Sequence, residues 1–279
     1  MFFDHLPQSG YVCAHRGARA HAPENTMLAA QRGLEFGADY WELDVHKVAD
    51  GTLVVFHDDV LDRTTDISTH PDFSDRRSRR IRDYTWDELQ KLDAGSWFIT
   101  SDPFGTIAAG EMSANDLDLM RGQRIPSLKE ALAFSRKHNL PVNVEIKNQA
   151  GAADDLSIVG DVVDIVHELN VQDLVLISSF NHDYLAEMKA RYPEIPLAVL
   201  VENKHPEDIV AYLQRFGCTC YHPDYQMIDV ALVSRLMEHG IRVAPYTVND
   251  MDRAVSLASG GCFGIITDYP LSLRQRLSR

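Results

Sequence analysis

Cysteine is scarce in this chain, and the long apolar runs typical of membrane-spanning helices are missing from it. The few cysteines are scattered, which argues against a disulfide framework. One close pair resembles half of a metal-binding hook, but no second pair accompanies it, so we predict buried thiols in strands. The cysteines are Cys13, Cys218, Cys220 and Cys262. The N-terminal residues include neither a basic segment nor a long apolar stretch, and we predict a cytoplasmic protein without a signal peptide.

Positive charge is also in deficit, because 27 lysines and arginines face 41 aspartates and glutamates. The formal net charge of −14 would repel a nucleic-acid backbone, so we predict no nucleic-acid partner. We recognise no basic amphipathic helix and predict no stable membrane association. A small phosphorylated substrate is compatible with this charge only where local cations reverse the field. The sequence makes no prediction of the oligomeric state.

The composition, 45% hydrophobic and 24% charged over 279 residues, is typical of a globular chain with room for one α/β barrel. Short apolar segments, which we predict as strands, alternate with amphipathic segments, which we predict as helices. Such alternation implies parallel strands joined by right-handed crossovers, and we predict a (β/α)8 TIM barrel in one domain, residues 1–279. The predicted strands are 12–15, 41–45, 53–57, 142–146, 174–178, 197–201, 219–222, 242–247 and 264–267.

Capping residues mark three helix starts. Residues 127–130 and 85–88 each have the spacing of a capping box, with Ser or Thr followed three positions later by Glu. We predict Asn25 as the N-cap of a helix that runs to residue 36 and stops at Gly37.

The second and third predicted strands lie too close together for a crossover helix between them. The dipeptide Asp50-Gly51 favours a hairpin turn there, so the third strand extends the second and eight barrel strands remain. A two-residue loop would pair Ala49 with Thr52 and place Asp44 opposite His57 on the same face. A register shifted by one residue is the alternative.

Residues 59–123 interrupt the alternation of strands and helices. We predict that they form a subdomain inserted above the barrel mouth, after the strand that ends in His57-Asp58. Within this insertion, residues 101–115 are rich in Gly, Ala and Ser and predict a loop. We interpret the basic run 76–80 as a solvated surface, and a role facing the substrate is the alternative.

Three acidic residues lie in apolar strands. Glu42 and Asp44 are two positions apart, so both side chains leave the same face of a strand and repel each other unless a cation lies between them. Glu145 is a third acid, in the fourth predicted strand. Carboxylate oxygens without cysteine suit one hard divalent cation, Mg²⁺ or Ca²⁺. The alternative is that these are exposed acids paired with Lys47 and Lys147.

Basic side chains lie at the ends of the same strands. His15 and His57 titrate near neutral pH and suit proton transfer. Arg16 follows His15 at a strand end, where a guanidinium can bind phosphate through two hydrogen bonds. Lys147 would balance Glu145 or contact the phosphate. We interpret most of the other histidines as structural.

Several short motifs resemble the glycerophosphodiester phosphodiesterase family, in the expected order from residue 12 to residue 270. A further motif, Asp93-Ala94-Gly95-Ser96-Trp97, is similar to bacterial cytoplasmic members in particular. Residues 107–122 have no counterpart that we can place in that family. The motifs are His15-Arg16-Gly17, Pro23-Glu24-Asn25-Thr26, Glu42-Leu43-Asp44-Val45, Asp50-Gly51, His57-Asp58, Glu145-Ile146-Lys147, Ser178-Ser179-Phe180, Tyr246-Thr247-Val248-Asn249 and Ile265-Ile266-Thr267-Asp268-Tyr269-Pro270.

The resemblance implies a (β/α)8 barrel with an inserted subdomain, and hydrolysis of a glycerophosphodiester to sn-glycerol 3-phosphate and an alcohol. It also implies a role for each site residue: one divalent cation bound by Glu42, Asp44 and Glu145, His15 and His57 as the acid/base pair, phosphate contacts from Arg16 and Lys147, and Glu24 and Asn25 along the site. Tyr246 stands where many members have tryptophan, and its flat ring would form a wall against the glycerol.

Two other functions stay open at this point. A lysophospholipase D would act on diesters that carry a lipid chain, and would need an apolar entry surface. A non-catalytic barrel that binds a metal or a phosphodiester would have no need of two proton-transfer groups.

Overall fold

The computed structural model describes residues 2–6, 11–149, 152 and 155–278. This part of the chain contains nine strands, whose bounds lie within one or two residues of the predicted ones at most ends. The strands are β1 (Tyr11–Ala14), β2 (Tyr40–Lys47), β3 (Leu53–Val55), β4 (Val142–Ile146), β5 (Val175–Ser179), β6 (Leu197–Val201), β7 (Cys220–Pro223), β8 (Arg242–Val243) and β9 (Gly264–Thr267).

Eight of these strands form a parallel, nearly closed barrel in the order β8-β7-β6-β5-β4-β2-β1-β9. The amide of Phe263 donates to Val243 O (2.8 Å) and that of Ile266 to Pro245 O (3.0 Å), which links the two outer strands. The predicted (β/α)8 barrel is confirmed. The prediction of a strand over 242–247 is wrong in length, since Pro245 has no N–H to donate to the ladder.

Helices lie between the strands and pack against the outside of the barrel. Both predicted capping boxes, at residues 127–130 and 85–88, are present. The helices are α1 (Met27–Glu35), α2 (Trp86–Leu89), α3 (Ser96–Ser101), α4 (Ala114–Met120), α5 (Leu128–His138), α6 (Ser157–Leu169), α7 (His182–Arg191), α8 (Ile209–Arg215), α9 (Val230–Glu238), α10 (Met251–Ser259) and α11 (Pro270–Leu277).

The hairpin of β2 and β3 has a three-residue loop, so the predicted two-residue loop and its register are wrong by one position. Val45 pairs with Val55, and the amide of Phe56, not His57, bonds to the carbonyl of Asp44 (3.0 Å). Gly51 has φ +87°, a left-handed conformation that suits the last position of a three-residue hairpin loop. His57 follows β3 outside the ladder and belongs to the next loop.

The N-cap of α1 is Thr26 and not the predicted Asn25. Thr26 Oγ1 accepts a hydrogen bond from the amide of Ala29 (3.2 Å). Asn25 has φ +56° and its amide group bonds elsewhere, to the Asp44 carboxylate (2.8 Å). A side chain held in the barrel mouth is therefore not available to cap the helix.

Residues 59–123 carry the three short helices α2, α3 and α4. The loop predicted over 101–115 is confirmed for residues 102–113, whereas residue 101 ends α3 and residues 114–115 begin α4. A buried apolar cluster that includes Phe73, Tyr84 and Ile125 lies beneath this segment. The four cysteines are free and buried, as predicted, although only Cys13 and Cys220 lie in strands. In the part of the chain that the structure describes, no helix combines the length and apolar character that a bilayer crossing requires.

Candidate active site

Three buried carboxylates meet at the carboxyl ends of β2 and β4. These strands are parallel neighbours with Asp44 opposite Glu145, and Glu42 projects from the same face of β2 as Asp44. Each residue offers one carboxylate oxygen, and these atoms lie within 4.8 Å of one another. The carboxyl ends of barrel strands are the usual location of active sites in this architecture. The strand pairing therefore brings together the three acids of the cation site predicted from the sequence.

Two cationic side chains lie against these acids. Lys147 Nζ lies 2.8 Å from Glu145 Oε1 and 3.3 Å from Asp44 Oδ1. Arg16 Nε lies 3.3 Å from Asp44 Oδ2, and the Arg16 amide donates to Glu42 Oε2 (2.9 Å). The alternative of exposed acids paired with Lys47 and Lys147 holds only for the Lys147 pairing, because the acids are buried. Lys47 pairs with Asp161 instead (2.8 Å).

Burial, mutual repulsion and nearby cations shift the pKa values of the acids in different directions. Burial raises the pKa of Glu42 well above its ordinary value, and the adjacent carboxylates raise it further. Burial alone would also raise the pKa of Asp44, but nearby cations, above all Lys147, hold it well below its ordinary value. One oxygen of Glu42, Oε1, is buried without a hydrogen-bond partner. An added cation at this cluster would relieve both the repulsion and the unpaired oxygen.

The residues that follow β1 adopt unusual backbone conformations and pack closely at the mouth of the barrel. Arg16 and Asn25 both have positive φ, +54° and +56°, which is uncommon outside glycine. Gly17 has φ +83°, and a Cβ there would lie 2.4 Å from the backbone of Ala29. Asn25 accepts from the amide of Asp44 (3.3 Å) in addition to its bond to that carboxylate. Tight backbone packing thus fixes Arg16 beside the acids.

His15 lies at the end of β1 and bonds to a partner 253 residues away in the chain. Its Nδ1 lies 2.7 Å from Asp268 Oδ1, and Asp268 also accepts from Asn249 Nδ2 (2.7 Å). Burial and the adjacent Arg16 lower the pKa of His15. Burial would raise the pKa of Asp268, but His15, Arg19 and Asn249 together outweigh it and lower that pKa to about 2. Asp268 belongs to the motif 265–270, to which no separate role is assigned from the sequence. Its position after β9, at the end of a barrel strand, is the signal that points to this site.

His57 has a similar arrangement. Its Nδ1 lies 2.6 Å from Asp58 Oδ1, and Arg63 donates to both oxygens of Asp58 (2.6 and 3.0 Å). The backbone oxygen of His57 contacts Nε2 of the buried His46 (3.1 Å). Arg63 lies in an irregular loop within the predicted insertion, where no sequence pattern points to it.

Glu24 lies behind the cationic groups and not on the open side of the site. Its side chain is 3% exposed and accepts hydrogen bonds from Arg16 (2.8 Å), Arg19 (2.9 Å) and Arg63 (2.9 and 2.7 Å). Arg19 also approaches Asp268 (3.4 Å). A chain of ion pairs through Glu24 therefore links the partner of His15 with the partner of His57.

A cleft of about 220 Å³ opens between the two histidines and the barrel strands. Tyr246 and Phe180 line it, with their rings in edge-to-face contact at 5.8 Å. The Tyr246 hydroxyl donates to Val201 O (3.2 Å), so the ring is held in place. The other lining residues that concern the site are His15, Arg16, Glu42, His57 and Glu145. Acids for a cation, imidazoles for proton transfer and an aromatic wall thus share one opening.

Comparison with known proteins agrees with this arrangement. The family model described as "Glycerophosphoryl diester phosphodiesterase family" matches residues 15–272. A glycerophosphodiester phosphodiesterase of Caldanaerobacter subterraneus is 34% identical over 262 residues, 94% of this chain and 95% of that protein. A protein of the same name from Bacillus altitudinis is 32% identical over 263 residues, 93% of this chain and 94% of that protein.

A solved structure is similar over almost the whole chain. It is a phosphodiesterase of Oleispira antarctica in complex with the product sn-glycerol-3-phosphate, 29% identical, with a TM-score of 0.82 and 99% of both chains covered. The family match and the relatives lead to the same assignment: the chain belongs to the glycerophosphoryl diester phosphodiesterase family.

Proposed function

We propose that the chain hydrolyses glycerophosphodiesters to sn-glycerol 3-phosphate and an alcohol, and that one divalent cation, Mg²⁺ or Ca²⁺, takes part. The observation that carries the proposal is the cluster of three buried carboxylates beside two histidines at one cleft. The names of the relatives and the product bound in the Oleispira antarctica structure support the substrate class.

The donor set fits such a cation. Glu42, Asp44 and Glu145 offer only carboxylate oxygens, the ligands that hard divalent ions prefer. The buried, unpaired Oε1 of Glu42 supports this assignment, because a buried charged oxygen without a partner is costly. When bound, such an ion acts as a Lewis acid on a phosphoryl oxygen and lowers the pKa of a hydroxyl or water.

His15 and His57 carry the protons in this proposal. Each ring uses Nδ1 to contact an aspartate, Asp268 or Asp58, which favours the tautomer with its proton on Nδ1 and leaves Nε2 for the substrate. One histidine, neutral and with Nε2 unprotonated, takes the proton of the attacking oxygen. The other, protonated at both ring nitrogens, donates its Nε2 proton to the leaving alkoxide. Both lie at the same cleft, which supports a division of the two transfers between them.

Arg16 and Lys147 stabilise the negative charge that grows on the phosphoryl oxygens. Both are held in place by carboxylates before any substrate binds, so little reorganisation is needed during the reaction. The ring of Tyr246 lies against the glycerol, and Asn25 keeps Asp44 in position from behind. Glu24 acts through the arginines that it binds and does not contact the substrate.

Release of glycerol 3-phosphate from glycerophosphocholine, followed with a coupled dehydrogenase, tests the proposal. We expect Glu42→Gln to lower kcat at least about 10²-fold, since it removes an acid from the cation cluster. Glu35→Gln, which changes an exposed glutamate on α1, is the matched control. Thermal unfolding of both variants shows whether the fold survives.

Chelation followed by addition of Mg²⁺ or Ca²⁺ tests the cation directly. Full activity of Glu42→Gln, or of the wild-type protein after exhaustive chelation, would contradict the proposed cation site. Hydrolysis of lysophosphatidylcholine in preference to glycerophosphocholine would instead favour a lysophospholipase D. Absence of turnover with every diester would favour the non-catalytic alternative, a barrel that only binds a metal or a phosphodiester.

A further inference from the structure

A second cavity, of about 300 Å³, adjoins the cleft and lies on the other side of Glu145 and Phe180. Both residues line the two cavities. Its other lining residues come from β2, from the end of β4 and the residues after it, and from the segment between β3 and α2, and they include Asp59, Arg80 and Asn148. Its volume lies near the lower end of the range for small-molecule sites, roughly 300–1,000 Å³. We call it the outer cavity.

The outer cavity is cationic in a protein that is strongly acidic overall. Arg80, Arg82 and Lys147 line it together with two acids, Asp59 and Glu145. Glu145 is already paired with Lys147 (2.8 Å) and belongs to the proposed cation cluster. The lining thus holds three cationic side chains and two acidic ones, of which Glu145 is already paired. Positive lining of this kind favours anionic ligands.

Backbone pairing places Arg80 at this position. Arg80 and Val60 form an antiparallel bridge, and the next residue, the buried Ile81, donates to Asp59 O (3.0 Å). Other arginines of the basic run are paired elsewhere, for instance Arg76 with Glu88 (2.7 Å). No carboxylate among the described residues lies within ion-pair distance of the Arg80 guanidinium. The run is thus not a uniform solvated surface, because its end reaches the cavity.

We propose that the outer cavity binds the leaving-group alcohol of the diester, and that Arg80 favours alcohols that carry a carboxylate or a second phosphate. This inference rests on the proposed function. A diester has two arms on one phosphorus. The acid cluster, whose bound cation would hold that phosphate, borders both cavities at Glu145. The cleft with the Tyr246 ring and both histidines takes the glycerol arm, which leaves the outer cavity for the other arm.

Two pairs of substrates isolate the added charge. Glycerophosphoserine differs from glycerophosphoethanolamine by one carboxylate, and glycerophosphoinositol 4-phosphate differs from glycerophosphoinositol by one phosphate. For each pair, the ratio of interest is kcat/KM for the diester with the added anionic group divided by kcat/KM for the diester without it. We expect Arg80→Gln to lower this ratio by roughly threefold to tenfold, the range between an exposed ion pair and a charge-assisted hydrogen bond. Arg77→Gln is the matched control, because Arg77 is an exposed arginine of the same run outside the cavity lining.

The inference would be overturned if the ratio in Arg80→Gln stayed within about twofold of the wild-type ratio. It would also be overturned if Arg77→Gln lowered the ratio as much as Arg80→Gln does, because that result would indicate only a long-range electrostatic field. Inhibition by sn-glycerol 3-phosphate shows which arm of the diester Arg80 contacts. If Arg80→Gln raised the inhibition constant of this product by the same factor as it lowers the ratio, Arg80 would lie on the glycerol side and the inference would be overturned. Wild-type protein that hydrolyses none of these diesters would contradict the proposed function itself.

Discussion

Glu24 provides the most direct test of how this site is held together, through the substitution Glu24→Gln. The change keeps the shape of the side chain but removes the charge that three arginines share. Its two oxygens accept four N–H groups, and glutamine would keep one acceptor oxygen and turn an NH₂ group towards guanidinium donors. Removing one partner from a buried ion pair costs about 3–5 kcal/mol, because the opposite charge is left uncompensated.

We therefore expect the free energy of unfolding of Glu24→Gln to fall by about 3–5 kcal/mol at pH 7. At roughly 2–4 °C per kcal/mol for a chain of this size, the Tm should fall by about 6–20 °C. Urea unfolding followed by circular dichroism measures the first quantity and calorimetry the second. Glu35→Gln, whose exposed carboxylate pairs with Arg32, should change stability by less than about 0.5 kcal/mol.

The difference between wild type and Glu24→Gln should also depend on pH. Burial would raise the pKa of Glu24, but the arginines outweigh it and hold that pKa well below its ordinary value of 4.5. A lowered pKa in the folded state gives stability that is present above 4.5 and is lost as the pH falls below it. The difference should thus be largest at neutral pH and shrink on acidification. A variant as stable as wild type, with the same pH dependence, would refute this account of Glu24.

Two further predictions concern side chains away from the cation cluster. Asp268→Asn should lower kcat by about 10²- to 10⁴-fold and shift the pH profile of kcat/KM, because His15 would lose the acceptor that orients its ring; an unchanged profile with activity within threefold would contradict a positioning role. Burial raises the pKa of Cys220 and Cys262 to about 12, so a thiol reagent at pH 8 should label fewer than about one cysteine per folded chain and all four after denaturation. Rapid labelling of the folded protein would show that these thiols are reachable.

The acid cluster could be predicted from the sequence because strand geometry alone relates its members. Residues two apart on a strand share a face, and parallel neighbours bring their carboxyl ends to the same rim. Thus Glu42, Asp44 and Glu145 meet as expected. The register of His57 was predicted wrongly because it depends on the length of the hairpin loop. A left-handed glycine occurs in loops of two residues and in loops of three, so the dipeptide in the sequence does not decide between these lengths.

The ion-pair chain behind the histidines could not be predicted by such rules. Arg19 and Arg63 lie in irregular segments, where no periodicity fixes the direction of a side chain. Asp268 meets His15 only because β9 is the barrel neighbour of β1, which requires the closed topology and not local sequence. The motif around Glu24 resembles that of the family, but the role of Glu24 as a shared acceptor depends on the positions of three separate arginines.

Charge balance over this connected network explains how an acidic protein can accommodate a phosphodiester. Six carboxylates belong to it, and four arginine or lysine side chains lie among them, so two positive charges are missing when both imidazoles are neutral. Burial is the main cause of the raised pKa of Glu42, and the neighbouring carboxylates raise it further, so protonation of Glu42 would also reduce this excess of negative charge. One divalent cation would balance the network without protonation and leave it able to receive an anionic substrate, which favours a single ion at this site over a pair.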